Sequence, residues 1–401
     1  MKIRSITCFL NPGWPLDESK LRTAGEFLAR AKSTYENSGY DVQTTRLATV
    51  PFPQLLNGNV KETARLAETL SGLLPQIGVA YAALGPALIE HPESYSAIIE
   101  GMQASENVFF GGEMASKKMG VSLAAIKACA QVIQKASTVT PDGFANLRFA
   151  ALANVKPGAP FFPAAYHDQN KPAFAIATES ANLAVDAFAN AKSMEEGRHA
   201  LIAEIEKHGR AIAKISRDEL SGTRFIGIDF SLAPFPEDAC SLGHAVEKMG
   251  ISKIGLHGSL AAAAILTEAI ERADFPHTGF GGFMQPVLED SVLAKRAAEG
   301  TLTIKDALLY SAVCGTGLDT VPLPGDTTAD EIAPLLLDLS ALALRLDKPL
   351  TARLMPVPGK KAGDPTNFDF AFFANSRVMH LDSAPLHSPF NGAETLPLAK
   401  R

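Results

Sequence analysis

The sequence predicts an α/β protein in which parallel strands are joined by crossover helices, as an open sheet or as a barrel. Two observations predict this fold class. Short apolar runs typical of buried strands alternate with longer helical patterns along almost all of the 401 residues. Polar side chains also come directly after several of these runs, where α/β proteins build their sites. No linker rich in Pro, Gly or Ser interrupts the alternation, so we expect one α/β unit over residues 1–401.

The strand candidates are short and apolar, as strands buried on both faces are. They are residues 3–10, 40–46, 79–84, 108–110, 147–155, 174–178, 225–232, 254–257, 318–323, 350–357 and 368–373. About eleven candidates are too many for one flavodoxin-like sheet, which favours a larger sheet or a barrel.

The helix candidates carry apolar side chains three and four residues apart, as Leu21, Ala24 and Leu28 do in the first of them. They are residues 21–38, 60–73, 93–104, 123–136, 181–215, 241–248, 259–270, 292–298, 304–313 and 330–346. The last residues are rich in proline, and we expect an irregular C-terminal tail over 381–401.

Composition and charge exclude several classes of protein. The chain has 37 Lys and Arg residues against 43 Asp and Glu residues, a net charge of −6, and no basic cluster that would bind nucleic acid. No run approaches the roughly 18 apolar residues that span a bilayer, so we expect no membrane partner. The four cysteines lie far apart without zinc-type spacing, and reduced thiols are typical of a cytoplasmic protein. We also expect a homo-oligomer.

Two strand ends carry residues capable of chemistry. Asp229 and Ser231 end one strand, where Asp229 either serves a site or only holds the following turn. His257 ends another strand and precedes Ser259, which begins a helix whose first N–H groups suit an anion. A general base, a metal ligand and a satisfied core histidine are all open interpretations of His257.

A second pair of segments lies further along the chain. Cys314 is in a glycine-containing loop ahead of the strand that carries Asp319, and is either a nucleophile or a buried, inert thiol. Asp326 and Thr327 follow that strand. They either cap the helix near residue 330 or bind a substrate hydroxyl or carboxylate.

Two irregular segments complete the candidates. Tyr166 and His167 end a proline-bounded aromatic stretch, which forms a pocket wall or a packed surface loop. Glu289 and Asp290 follow a glycine-rich turn. Because adjacent side chains point apart, we expect only one of the two at a site, with capping of the next helix as the alternative for Asp290.

Several of these segments together resemble a family of hypothetical proteins, the domain of unknown function 711. The resemblance is carried by residues 228–236, 255–259, 313–319, 324–327 and 352–360. It implies a pyruvate formate-lyase-like fold, in which about ten strands close an α/β barrel and a hairpin finger enters the lumen. In such a fold Cys314 would occupy a finger-like position.

The resemblance also bears on radical chemistry. Glycyl radical relatives of this fold carry a C-terminal Arg-Val-x-Gly loop. The Arg-Val pair of this chain is Arg377-Val378, and His380 stands where the radical glycine would be. We therefore expect no radical chemistry.

Two classes of function are open on these residues. The first is an enzyme of the lyase or hydrolase type, acting on a small polar, anionic substrate by non-radical acid–base or thiolate chemistry. In it, His257 moves a proton, Asp229 orients His257 or binds the substrate, and Cys314 is the nucleophile or a second acid. The substrate-binding residues would be Ser231, Ser259, Asp319, Asp326, Thr327, Tyr166, His167 and Glu289.

No cofactor is predicted, although a divalent metal is possible. The metal-dependent alternative would use His257, Asp229 and either Glu289 or Asp319, because imidazole and carboxylate ligands suit a divalent ion. The second class is a non-catalytic protein that binds a small molecule.

Overall fold

The computed structural model describes residues 1–398, which contain eleven strands and twelve α-helices. The strands are β1 (Lys2–Leu10), β2 (Val42–Thr49), β3 (Tyr81–Ala87), β4 (Val108–Ser116), β5 (Gly120–Ser122), β6 (Phe149–Ala153), β7 (Ala173–Glu179), β8 (Arg224–Ala233), β9 (Gly317–Pro324), β10 (Leu350–Val357) and β11 (Thr395–Leu396). The helices are α1 (Glu18–Asn37), α2 (Phe52–Leu55), α3 (Thr63–Leu73), α4 (Ser94–Gln103), α5 (Leu123–Ala136), α6 (Ala181–Ala189), α7 (Met194–Glu219), α8 (Leu242–Lys248), α9 (Ser259–Arg272), α10 (Ser291–Ala298), α11 (Ile304–Tyr310) and α12 (Ala329–Leu346).

All eleven strands belong to one central sheet, so the predicted α/β class is confirmed. Its main path has the order β8-β7-β1-β2-β3-β4-β6-β10-β9, with β5 and β11 attached beside β4. Strands β1, β2, β3, β4 and β6 run parallel to one another. Strands β7 and β8, and likewise β9 and β10, form parallel pairs that join this block through antiparallel contacts. The expectation of parallel pairing throughout is therefore wrong at these two junctions.

The sheet is not closed, because its edge strands β8 and β9 are not paired with each other. Residues 276–288 bond to both edges. The backbone N–H groups of Ile228 and Leu232 donate to Pro276 and Gly282 at 2.8 and 3.2 Å, and an isolated bridge joins Pro286 to Asp319 of β9. A continuous barrel and the pyruvate formate-lyase-like fold are thus not established by the strands themselves.

The two faces of the sheet are packed differently. Helices cover the outer face, as predicted from their periodicity: α1 begins at the N-cap Asp17 and buries Leu21, Ala24 and Leu28. The inner face is packed by irregular chain instead. Side chains of five strands there contact the segment around Phe162 and Ala165: Phe9, Ala48, Ala83, Phe109 and Ala175.

Three predicted elements differ from the structure. Residues 254–257 form a turn and not a strand, because Gly255 and Gly258 adopt φ angles of 102° and 104°. Residues 368–373 form a loop. The side chain of Asn375, just after it, accepts a hydrogen bond from the backbone N–H of Phe368 and donates one to its C=O. The predicted helix 181–215 is two helices, since Ser193 caps the start of α7.

The predicted irregular tail is largely irregular as far as it is described. Its one regular element is β11, which pairs with β5 in antiparallel orientation. Residues 399–401 of the predicted tail lie outside the described residues.

Candidate functional site

A cavity of about 460 Å³ lies against the inner face of the sheet. Seven of its strands contribute side chains to the lining: Arg4 of β1, Thr44 and Arg46 of β2, Tyr81 of β3, Phe109 of β4, Thr178 of β7, Asp229 and Ser231 of β8, and Arg353 of β10. Residues 160–162 and the loop carrying Phe370 and Phe372 complete the wall. Strands that are distant in sequence therefore line one cavity.

Charged side chains form a buried chain along one wall of this cavity. Arg4 donates through Nη1 to Glu179 at 3.0 Å and through Nη2 to Glu289. Arg353 donates through Nη2 to the other oxygen of Glu289 at 2.8 Å, and through Nε to Asp319. Each carboxylate thus has an arginine partner, as buried charges require.

Asp319 has a carboxylate oxygen, Oδ2, that is both buried and without a hydrogen bond among the described residues. Burial raises the pKa of Asp319 to about 6, although the positive charge of Arg353 opposes the shift. The charged chain therefore contains a carboxyl group that titrates close to neutral pH.

Two arginines of the cavity lining, Arg148 and Arg46, form no ion pair with a carboxylate among the described residues. Arg148 donates Nη1 and Nη2 to the carbonyls of Ser105 and Met102, so the end of its guanidinium is occupied, unlike that of Arg46.

The Nε of Arg46 donates to Thr44 Oγ1 at 2.9 Å, and within residues 1–398 no carboxylate forms an ion pair with Arg46. Removal from water, together with repulsion by Arg4 and Arg353, lowers the pKa of Arg46 to about 9. The guanidinium group stays protonated at neutral pH and carries an uncompensated charge.

A phenylalanine ring lies against each of three arginines of the cavity lining, Arg4, Arg46 and Arg353. The distances from guanidinium carbon to ring centroid are 5.3 Å for Arg4 and Phe372, 5.1 Å for Arg46 and Phe162, and 5.6 Å for Arg353 and Phe161. These distances are in the range of cation–π contacts. All three rings come from irregular segments that cover the inner face, which explains why these loops are rich in aromatic residues.

Asp229 and Ser231 lie on the cavity wall, where Asp229 holds a turn. Its carboxylate accepts hydrogen bonds from the backbone of Phe280 and Gly281 at 2.9 and 3.0 Å, and from both N–H and O–H of Ser231. Burial raises the pKa of Asp229, while these hydrogen bonds oppose the rise. Since its oxygens are occupied, Asp229 acts here as a clamp on the glycine-rich turn 279–282.

The structure separates His257 and Ser259 from the cavity. His257 is exposed in the turn before α9. Ser259 is buried, but its hydroxyl accepts from the Gly255 backbone at 3.1 Å and donates to the Leu256 carbonyl at 2.7 Å. His257 belongs to the turn before α9 and Ser259 is the first residue of that helix, and neither is among the residues that line the cavity.

Cys314 is buried in the turn between α11 and β9 and is not part of the cavity lining. Its sulfur lies 4.0 Å from Nε2 of Gln285, which also donates to the carbonyls of Ala307 and Gly317. Of the three predicted catalytic residues, Asp229 alone lines the cavity. A mechanism that needs His257, Asp229 and Cys314 at one substrate has no shared cavity in the part of the chain that the structure describes.

Asp326 and Thr327 also lie outside the cavity. Asp326 is exposed and Thr327 is buried in the turn that follows β9. The N-cap of α12 is the next residue, Thr328, which forms a capping box with Glu331. The capping role therefore falls one residue later than predicted.

Tyr166 and His167 belong to the segment that covers the inner face without lining the cavity themselves. Tyr166 donates to the Val155 carbonyl at 2.9 Å, and the buried His167 ring bonds to the Lys171 carbonyl through Nε2. Burial lowers the pKa of His167, which favours the neutral imidazole.

Glu289 and Asp290 point apart, as their adjacency predicts. Glu289 lines the cavity between two arginines. Asp290 is buried away from it, where it caps α10 and accepts two further N–H bonds from the first turn of α8. The sequence thus predicted Asp229, Ser231, Glu289 and Asp319 in this region, but missed Arg4, Arg46 and Arg353.

The residues of the metal-dependent alternative are not assembled. Among residues 1–398, no group of three or more His, Cys, Asp and Glu side chains is placed to hold a metal ion. His257 is exposed, whereas Asp229 and Glu289 line the cavity.

The fold and the site together define an α/β protein with an arginine-lined cavity inside one mixed sheet. The chain belongs to the family described as Uncharacterised ACR (DUF711), whose model matches residues 1–375. This match confirms the resemblance found in the sequence.

Relatives extend over most of the chain. A UPF0210 protein of Pyrobaculum aerophilum is 33% identical over 370 residues, covering 86% of this chain and 79% of its own. A UPF0210 protein of Neisseria gonorrhoeae is 28% identical over 375 residues, covering 87% of this chain and 82% of its own. Among the described residues, no helix has both the length and the apolar character needed to cross a membrane.

Proposed function

We propose that the protein binds a small anionic molecule in the cavity, with Arg46 as the group that takes the negative charge. The observation that carries this proposal is the uncompensated guanidinium of Arg46 on the cavity wall. A partly buried charge without a partner is costly, and a bound anion would remove the cost. Arginine is also suited to the task, because its planar fork matches the geometry of a carboxylate or phosphate.

The neighbouring arginines do not compete for this role. Arg4 and Arg353 are neutralised by Glu179, Glu289 and Asp319 through the hydrogen bonds of the charged chain. Their repulsion of Arg46 adds to the advantage of an incoming anion. We infer that the charged chain fixes the wall and leaves Arg46 free for the ligand.

An enzyme acting on this anion is the second candidate function, and Asp319 favours it. Its pKa of about 6 suits proton transfer near neutral pH, and Arg353 links it to the cavity. Non-radical acid–base chemistry of the lyase or hydrolase type is the form of this proposal. The location in the cytoplasm and the homo-oligomer stay predictions.

We also propose that residues 276–288 take the place of a strand between β8 and β9. They would complete a barrel of about ten strands, as in the pyruvate formate-lyase-like fold. Their backbone contacts with both β8 and β9 support this proposal. In this proposal the cavity is the lumen of the barrel, and the hydrogen bonds of Asp229 hold residues 276–288 in place.

The anion proposal is tested by the melting temperature of the full chain with sodium acetate, benzoate, inorganic phosphate or citrate. At least one of these should raise the melting temperature of the wild type, and Arg46→Gln should abolish that rise. Arg30→Gln is the matched control, because Arg30 is exposed and lies 5.6 Å from the Phe27 ring, outside the cavity. No stabilisation by any anion, or equal stabilisation of Arg46→Gln, would contradict the proposal. Product analysis of each stabilising anion then separates an enzyme from a binding protein.

A further inference from the structure

An aromatic wall surrounds the free arginine. The rings of Tyr81 and Phe109 are 5.4 Å apart at an interplanar angle of 77°, and those of Phe109 and Phe162 are 5.5 Å apart at 63°. Arg46 lies over the last of these rings, and all three line the cavity. The surface next to the uncompensated charge is therefore apolar and suited to edge-to-face ring contacts.

The charge of the lining limits the charge of the ligand. Four arginines, namely Arg4, Arg46, Arg148 and Arg353, line the cavity together with three carboxylates, Glu106, Asp229 and Glu289. When all are ionised, the lining carries one net positive charge, and Glu179 and Asp319 add two carboxylates behind it. A monoanion brings this lining to zero charge, whereas a second negative charge on the ligand would make it net negative. Arg148 does not offer a second site, because its Nη1 and Nη2 already donate to the carbonyls of Ser105 and Met102.

The hydrogen bonds of Arg46 indicate the shape of the anionic group. Its Nε is occupied by Thr44, so Nη1 and Nη2 are the donors left for a ligand. Two parallel N–H groups at the end of a guanidinium fit the two oxygens of one carboxylate.

We infer that the ligand is an aromatic monocarboxylate, with its carboxylate on Arg46 and its ring against Tyr81, Phe109 and Phe162. This inference rests on the proposed anion-binding function and names the class of anion. A cavity of about 460 Å³ is large enough for such a molecule, since pockets for small ligands start near 300 Å³.

Isothermal titration calorimetry of the full chain with four anions tests the inference. Benzoate should bind about tenfold or more tightly than acetate and than inorganic phosphate, because only benzoate uses both the guanidinium and the rings. Phthalate, which adds a second carboxylate to the same ring, should bind more weakly than benzoate. Phosphate or acetate binding through Arg46 as tightly as benzoate would overturn the ligand class and leave the anion site standing.

Two variants connect the result to the residues. Arg46→Gln should lower the affinity for benzoate about tenfold or more. Phe109→Leu should weaken benzoate binding and leave acetate binding unchanged, and Tyr81→Leu serves the same purpose if Phe109→Leu does not fold by circular dichroism. Equal loss of acetate and benzoate binding in the aromatic variants would overturn the ring contact. Full benzoate binding in Arg46→Gln would instead contradict the proposed function itself.

Discussion

Arg353 donates a hydrogen bond of 2.8 Å to Glu289, and this contact joins β10 to the short 3-10 helix Val287–Glu289. The second oxygen of Glu289 accepts from Arg4 of β1. One carboxylate therefore links the first strand of the chain, a late strand and the segment that bonds to both sheet edges. Its position makes Glu289 a structural part of the cavity wall as well as a polar group of the lining.

Glu289→Gln should lower the free energy of unfolding by about 3 kcal/mol, because the partly buried Arg4 and the buried Arg353 each lose one of their two carboxylate partners. Urea denaturation followed by circular dichroism measures the change. The control is Asp382→Asn, which removes an exposed ion pair with Lys305 and should leave the urea midpoint unchanged. Equal midpoints for Glu289→Gln and the wild type would mean that the charged chain contributes little to stability.

The titration of Asp319 predicts a pH dependence of stability. Burial raises its pKa from 3.8 to about 6, so between about pH 6 and about pH 4 the folded chain holds a proton that the unfolded chain has lost. Lowering the pH through this window should therefore stabilise the folded state at this position. The free energy of unfolding of the wild type minus that of Asp319→Asn should increase from pH 7 to pH 4.5.

The asparagine variant controls for the other carboxylates, which titrate in both proteins. A difference that stays constant with pH, or that changes in the opposite direction, would show that Asp319 does not have a raised pKa.

Gly279 is required by the Asp229 clamp. A Cβ atom at Gly279 would overlap the carboxylate of Asp229, whereas one at Gly281 would meet no atom within 4 Å. Both glycines have positive φ, at 72° and 50°, so alanine is strained at either position. Gly279→Ala should therefore lose about 1–3 kcal/mol more than Gly281→Ala in urea denaturation. Equal losses would show that the clamp does not depend on close approach at Gly279.

Asp290 stabilises two helices at once. Its Oδ1 accepts from the first turn of α10 and from Ser241, and its Oδ2 accepts from the first turn of α8. Asp290→Ala should cost about 3 kcal/mol, since it removes two caps and leaves a buried hydroxyl without its acceptor. Thr328→Ala, which removes a single exposed cap from α12, should cost about 1 kcal/mol. A smaller loss for Asp290→Ala than for Thr328→Ala would contradict the double cap.

The sequence predicted the layers of the fold because each strand and helix carries its own periodicity. It did not predict the direction of β7 and β10, because pairing depends on contacts between segments more than 100 residues apart, such as Ile6 with Ile176. Closure of the sheet is equally nonlocal, since residues 276–288 lack a strand pattern.

For a related reason, the sequence predicted only part of the site. The sequence predicted Glu289 after a glycine-rich turn and Asp319 within a strand. Strand-end reasoning also chose His257, whose short apolar run forms a turn between two glycines of positive φ. It missed Arg4 and Arg353 because both lie inside strands. Their signal was present: each is a charged residue whose strand neighbours Ile3 and Leu354 belong to the apolar outer core. Such a charge must face the inside of the sheet.

The most direct test of the account is a crystal structure of the wild-type protein with para-bromobenzoate, in which anomalous scattering locates the bromine. The carboxylate is expected on Nη1 and Nη2 of Arg46, with the bromophenyl ring against Phe109 and Phe162. Bromine found only outside this cavity, with the Arg46 guanidinium left without an anion, would contradict the central claim that this arginine is the binding group.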